Sequence, residues 1–168
     1  SDSVVVWLMD LEERRLKALD RLGLASFGFF LVLIGVIFVV TPNLSAEIVD
    51  FFTEFELVEV YPNVTLPAPA SNHPVLYTAV AEFCIAYGLF HIAILILRLY
   101  FRDYLNRKAG AFSEAVFWLG AGYLLNILSA EIVGWFTFLS WLIILVGVAL
   151  VVRSLLILLF ETVLRGYF

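Results

Sequence analysis

Residues 75–97 read VLYTAVAEFCIAYGLFHIAILIL and residues 98–108 read RLYFRDYLNRK, an apolar run followed by a segment that holds Arg98, Arg102, Arg107 and Lys108. At about 1.5 Å of helical rise per residue, the run is long enough to cross a hydrocarbon core of about 30 Å. A chain crossing that layer must satisfy every backbone N–H and C=O internally, which selects a helix. The basic segment marks the exit, because Lys and Arg next to membrane spans concentrate on the cytoplasmic side.

The same alternation extends both ways. Leu22–Val40 is a second apolar run, and between Arg21 and Arg98 there is no Lys or Arg. Beyond Lys108 come Phe112–Ser129 and Phe136–Phe160, joined by a few residues. The pattern predicts an all-α polytopic membrane protein with spans at about 22–40, 75–97, 112–129 and 136–160, an outer loop at 41–74, and a tight hairpin between the last two spans. Arg14, Arg15, Lys17 and Arg21 precede the first span, and Arg153 and Arg165 lie at the end of the fourth. All basic residues then fall on one side, so both termini are expected to face the cytoplasm, in a plasma membrane.

Composition agrees with this reading. With 63% hydrophobic and 15% charged residues, 168 residues carry more apolar surface than a soluble domain of that size buries. The net charge of −5 reflects segregated charges rather than a uniformly acidic surface. Cys84 is the lone cysteine, so it has neither an internal disulfide partner nor a second thiol for zinc or an iron–sulfur cluster. One Met and no Gln suggest a thermophilic source.

Residues 1–21 are expected to form a cytoplasmic amphipathic helix ahead of the transmembrane domain at 22–168. Val4, Trp7, Leu8, Leu11, Ala18, Leu19 and Leu22 share one arc at about 100° per residue, and Asp10, Glu13, Arg14, Lys17 and Arg21 occupy the rest. Asp10→Arg14 and Glu13→Lys17 are favourable i,i+4 pairs. Such a helix anchors in the headgroup layer or docks a partner subunit.

The segment Leu44-Ser45-Ala46-Glu47-Ile48-Val49 recurs as Leu128-Ser129-Ala130-Glu131-Ile132-Val133, half the chain further on, and Phe51-Phe52-Thr53 is matched by Trp135-Phe136-Thr137. Each copy follows an outward-running span. The repeat therefore predicts two helix pairs in a parallel 2+2 arrangement about an axis along the membrane normal. Within each copy, Ser45 or Ser129 would cap a new helix with Glu47 or Glu131 in its first turn. Ile48, Phe51, Phe52 and Phe55 would form the apolar face of a short helix lying on the outer leaflet, and Trp135, Phe138 and Trp141 would form an aromatic belt. Gly120 and Gly122 suggest one closely packed face in the third span.

The outer loop carries Glu47, Asp50, Glu54, Glu56 and Glu59 without a basic residue, and Pro62, Pro67, Pro69 and Pro74 argue for an extended second half. Asn63-Val64-Thr65 matches the glycosylation acceptor pattern on the outer side; Asn43-Leu44-Ser45 also matches but sits close to the bilayer. Within the spans, ionisable groups are costly and mark candidate sites. Glu82 leads, among Ala79, Ala81, Ala86 and Gly88, with Asn126 or Tyr123 as expected hydrogen-bond partners. His91 projects from nearly the opposite face of its span and cannot share a site with Glu82. With no second intramembrane His, an internal bis-histidine haem is not expected. His91 instead suggests an interhelical hydrogen bond near the level of Arg153, whose side chain can reach the interface by snorkelling.

No nucleophile elbow, HExxH, phosphate loop or CxxC occurs. No catalytic residues, cofactor or metal are therefore expected, nor is nucleic-acid binding, since the basic residues mark the membrane boundary. The composition favours a structural or accessory subunit of a larger membrane assembly, in contact with lipids and with other subunits or a second copy. The alternative is a small ion- or proton-conducting channel or transporter that uses Glu82.

Overall fold

The computed structural model describes the backbone of residues 2–101 and 105–165. Its elements are helix α1 (Asp2–Val40), helix α2 (Leu44–Thr53), strands β1 (Phe55–Tyr61) and β2 (Val64–Pro69), and helices α3 (Pro74–Tyr100), α4 (Leu105–Ser129) and α5 (Trp135–Arg165). Four helical stretches are long and apolar enough to cross a membrane: Arg21–Val40, Pro74–Tyr100, Leu105–Ser129 and Trp135–Phe160. The chain is thus a mostly helical, integral membrane protein.

The chain divides into two units, Ser1–Val32 and Leu33–Phe168. The first is helical from Asp2 on, and α1 runs without a break across the boundary expected near residue 21. Gly23 lowers helix propensity by about 1 kcal/mol but cannot stop a helix flanked by Leu on both sides. The side chains of Arg14, Arg15, Lys17, Ala18 and Leu19, on which the two-faced reading of residues 1–21 rests, lie outside the described residues, as do those of Arg102 and Arg165.

In the second unit α4 packs against α3 on one side and α5 on the other. Three glycines set these approaches: a Cβ on Gly88 of α3 would lie 2.8 Å from Leu119 Cγ of α4. A Cβ on Gly122 would lie 2.6 Å from Ile85 Cγ1 and 3.1 Å from the Ala81 carbonyl oxygen of α3. A Cβ on Gly120 would lie 2.6 Å from Leu145 Cδ1 of α5. Two residues of a helix are separated by about 200° of rotation, so Gly120 and Gly122 serve opposite contacts rather than the single face expected from their proximity. Ser113 adds a hydrogen bond from its hydroxyl to the Ala149 carbonyl at 2.6 Å.

The outer loop is not all coil and helix, and here the all-α expectation is corrected. β1 and β2 form an antiparallel hairpin, with Leu57 opposite Pro67 and Val58 opposite Leu66. Pro62 and Asn63 make its turn, with Asn63 at a φ of 65° and its N–H bonded to Glu59 Oε1 at 3.1 Å. Pro presets the first central position of such a turn and Asn tolerates a left-handed second one.

α2 closes the N-terminal end of α3. Leu44 is buried with Leu76 and Ala79, and Ile37, Ile48 and Phe51 pack around them. Phe52 is 71% exposed, and Phe55 begins β1, so neither belongs to the expected apolar face of α2. Phe51 reaches further, meeting His73, Tyr77 and Trp135 edge to face. Tyr77, Leu124, Leu128 and Phe138 form the buried cluster beneath. Of the three aromatics expected in a belt, Phe138 is buried, Trp135 packs inward, and Trp141 is exposed.

The repeated hexapeptide adopts two conformations. In the first copy Asn43, at a φ of 58°, occupies the N-cap position without a side-chain cap, and Ser45 is already inside the helix. In the second copy Leu128 and Ser129 end α4, Glu131 takes a φ of 58°, Ile132 N–H donates to Ile127 O, and Glu131 N–H donates to Leu128 O. That pair of bonds is a Schellman stop. The expected serine caps are therefore absent: one serine follows a helix start and the other closes a helix. Both copies nevertheless meet at the same end of α3, through Leu44–Leu76 and through Thr78–Ser129.

Candidate functional site

Side chains three or four apart on a helix stack along one face, so the Thr78–Ser129 hydrogen bond, 2.9 Å between hydroxyl oxygens, sets the register of the α3/α4 seam where α3 begins and α4 ends. One turn deeper, Glu82 follows Thr78 on α3, and Asn126 and Tyr123 precede Ser129 on α4. Because the helices are antiparallel, these three side chains fall on the same side of the seam. All three are exposed. Asn126 Nδ2 donates to the Gly122 carbonyl of its own helix at 3.3 Å rather than to Glu82. Glu82 has no hydrogen-bond or ion-pair partner among the described residues, in contrast to the buried, hydrogen-bonded carboxyl expected. It borders an open groove of about 390 Å³ lined by Val40, Pro42, Val75, Thr78 and Ala79. The reason is geometric: Ala81, Ile85 and Gly88 take the centre of the seam against α4, and Glu82 follows Ala81 by a turn of about 100° that carries it to the edge.

On the opposite side of the seam, in the other half of α3, lies a pair only half visible in the sequence. His91 Nε2 stands 2.7 Å from Glu114 Oε2 of α4, and His91 Nδ1 stands 2.9 Å from the Tyr87 carbonyl. A carbonyl can only accept, so Nδ1 carries a proton; one further proton then lies between Nε2 and the carboxylate. His91 is buried, whereas the Glu114 side chain is 58% exposed. Arg98 and Arg153 act electrostatically on Glu114. Arg98 Nη1 donates to the Arg107 carbonyl at 2.8 Å, and Arg153 Nη2 to Asn106 Oδ1 at 3.3 Å. The sequence signal for Glu114 was its place in the third span at a depth comparable to His91, both measured from the basic segment between them.

At the N-terminal end of α3, His73 is buried between carboxylates, with Nδ1 3.6 Å from Glu47 and Nε2 3.5 Å from Glu54. The Ser71 hydroxyl also donates to Glu54. Asn72 Nδ2 donates to Glu131 Oε1 at 2.8 Å, tying the end of the hairpin to the turn between α4 and α5. The four polar residues of the repeat are thus distributed: Glu47 on His73, Ser129 on Thr78 and the Pro74 carbonyl, Glu131 on Asn72, and Ser45 exposed. Asn63 stands exposed at the hairpin turn. Among the described residues no group of three or more His, Cys, Asp or Glu side chains is arranged to hold a metal ion.

No protein-family model matches the chain, and neither a curated protein nor a solved structure resembles it significantly.

Proposed function

We propose that this chain is a subunit of a larger membrane assembly, without catalytic chemistry of its own, and that another transmembrane helix lies along the outer half of its α3/α4 seam. The observation that carries this reading is Glu82, an exposed carboxyl with no partner among the described residues, beside exposed Asn126 and Tyr123. A polar group left unsatisfied in hydrocarbon costs several kcal/mol, so such a cluster favours a neighbour that donates to it. The parallel 2+2 arrangement does not enter the proposal, since the two copies of the hexapeptide fold differently.

Glu82→Gln keeps the shape and much of the hydrogen bonding, whereas Glu82→Leu removes both. In complexes extracted from the native membrane and weighed by native mass spectrometry, wild type and Glu82→Gln should carry unlike subunits. Glu82→Leu should weaken that association by about tenfold, as expected for one interhelical polar contact of 1–2 kcal/mol. The open groove beside Glu82 favours a second reading, a homo-oligomer that admits cations or protons from the outer side. Homo-oligomers alone, together with cation flux into liposomes abolished by Glu82→Gln, would replace the first reading with the second.

Both termini are placed on the cytoplasmic side by the distribution of Lys and Arg. In a Cys84→Ala background, Asn63→Cys should react with an impermeant maleimide added outside and Asn106→Cys only after the membrane is opened; the reverse pattern would refute the orientation.

A further inference from the structure

The hairpin has one closed edge and one open edge. Ala70 N–H donates to the Glu54 carbonyl at 2.9 Å, which makes residues 54 and 70 a hydrogen-bonded pair. Pairs alternate along an antiparallel ladder, so Glu56 with Ala68 and Val58 with Leu66 bond to each other, while Phe55, Leu57 and Glu59, and opposite them Pro69, Pro67 and Thr65, turn their backbone groups outward. On β2 two of the three outward positions are proline, which has no N–H to offer, and that edge cannot extend. On β1 the outward positions all carry N–H and C=O, and the strand is exposed along its whole length. Leu57 is 72% exposed, and Glu56 and Glu59 flank it in a loop, residues 41–74, that holds no Lys or Arg.

We propose that β1 receives an extended, Lys- or Arg-bearing segment of a partner protein as a third antiparallel strand, with Leu57 at the centre of the new ladder. Main-chain bonds supply the affinity in such strand addition, and side chains select the partner. The acidic strand selects a basic one: opposite charges across a strand pair stabilise it and like charges oppose it. A second copy would bring a second acidic loop without a compensating cation. This surface lies outside the spans and does not use Glu82, so it stands apart from the helix-docking reading above.

The test uses the full chain in phosphatidylcholine nanodiscs and a fluorescein-labelled ten-residue peptide of alternating Val and Lys, with empty nanodiscs as the blank. Anisotropy should report saturable binding that weakens with salt. The same peptide N-methylated at alternate residues, which keeps its charge but cannot complete the ladder, should bind at least about tenfold more weakly. Leu57→Pro removes an outward N–H without touching the ladder to β2 and should have the same effect. Pro67→Thr with Pro69→Thr opens the second edge and should raise the number of peptides bound. Equal binding of the N-methylated peptide to wild type would reduce the interaction to charge alone and overturn the proposal. So would Leu57→Cys chains that crosslink to each other in the absence of peptide, which would make a second copy the occupant.

Discussion

Gly122→Leu is expected to keep α3 and α4 from packing, and even Gly122→Ala should lower stability by about 1–3 kcal/mol, the usual cost of overpacking a tight contact. Ile85 Cγ1, 2.6 Å from the added methyl, belongs to a side chain that can turn away. The Ala81 carbonyl oxygen, 3.1 Å away, belongs to the backbone of the facing helix and moves only if the helix moves. Gly147 has nothing within 4 Å of its would-be Cβ. Gly147→Ala should therefore be neutral or gain up to about 1 kcal/mol from helix propensity. Reversible unfolding in mixed micelles against SDS fraction measures all three; a Gly122→Ala protein as stable as Gly147→Ala would mean that the α3/α4 approach is not set at this residue.

The second large effect belongs to His91 and Glu114. Replacing either one strands its partner at membrane depth, where leaving a polar group unsatisfied costs about 1–3 kcal/mol. His91→Leu and Glu114→Leu should each destabilise on that scale. The double variant should cost less than the sum by about 1 kcal/mol, in the range found for polar contacts between membrane helices. The same SDS titration closes this cycle, and strict additivity would show that the 2.7 Å contact carries no coupling. Glu114 is more than half exposed, so its half of the effect depends on what covers α4, and it should shrink in micelles that admit water.

The spans were legible because a bilayer imposes one rule, apolar length, that survives any detail of packing. Three of them begin and end within a few residues of their expected bounds. Less was legible wherever context decides conformation. The hexapeptide shared by Leu44–Val49 and Leu128–Val133 starts a helix where Pro42 and Asn43 separate it from α1, yet stops one where α4 runs directly into it and Gly134 follows. Six residues do not carry enough hydrogen bonds to choose a state on their own. The hairpin did leave a signal: Pro62-Asn63 is flanked by Val, Tyr and Thr, residues that favour strands, but the four prolines from Pro62 to Pro74 pointed to extended chain without a partner.

The polar sites divide in the same way. Glu82, His91, Asn126 and Arg153 could be picked out because each is an anomaly in an apolar run. Their partners depend on helix rotation, which the close contacts of Gly88, Gly120 and Gly122 fix and which hydropathy does not report. One turn of register decides that His91 meets Glu114, whereas Glu82 reaches neither Asn126 nor Tyr123.

The bond between Asn72 and Glu131, together with the contact of Phe51 on Trp135, joins early chain to late chain. As a polypeptide emerges from the ribosome in order, residues 44–73 are made before their partners at 131–135 exist. Residues 44–73 can meet α3 first, through Leu44 on Leu76 and Glu47 and Glu54 on His73, and gain their late contacts only once residues 131–135 have been made. Glu131, holding a left-handed turn that glycine would adopt at less cost, is the clasp that completes this surface, so its final shape depends on the last part of the chain to be made.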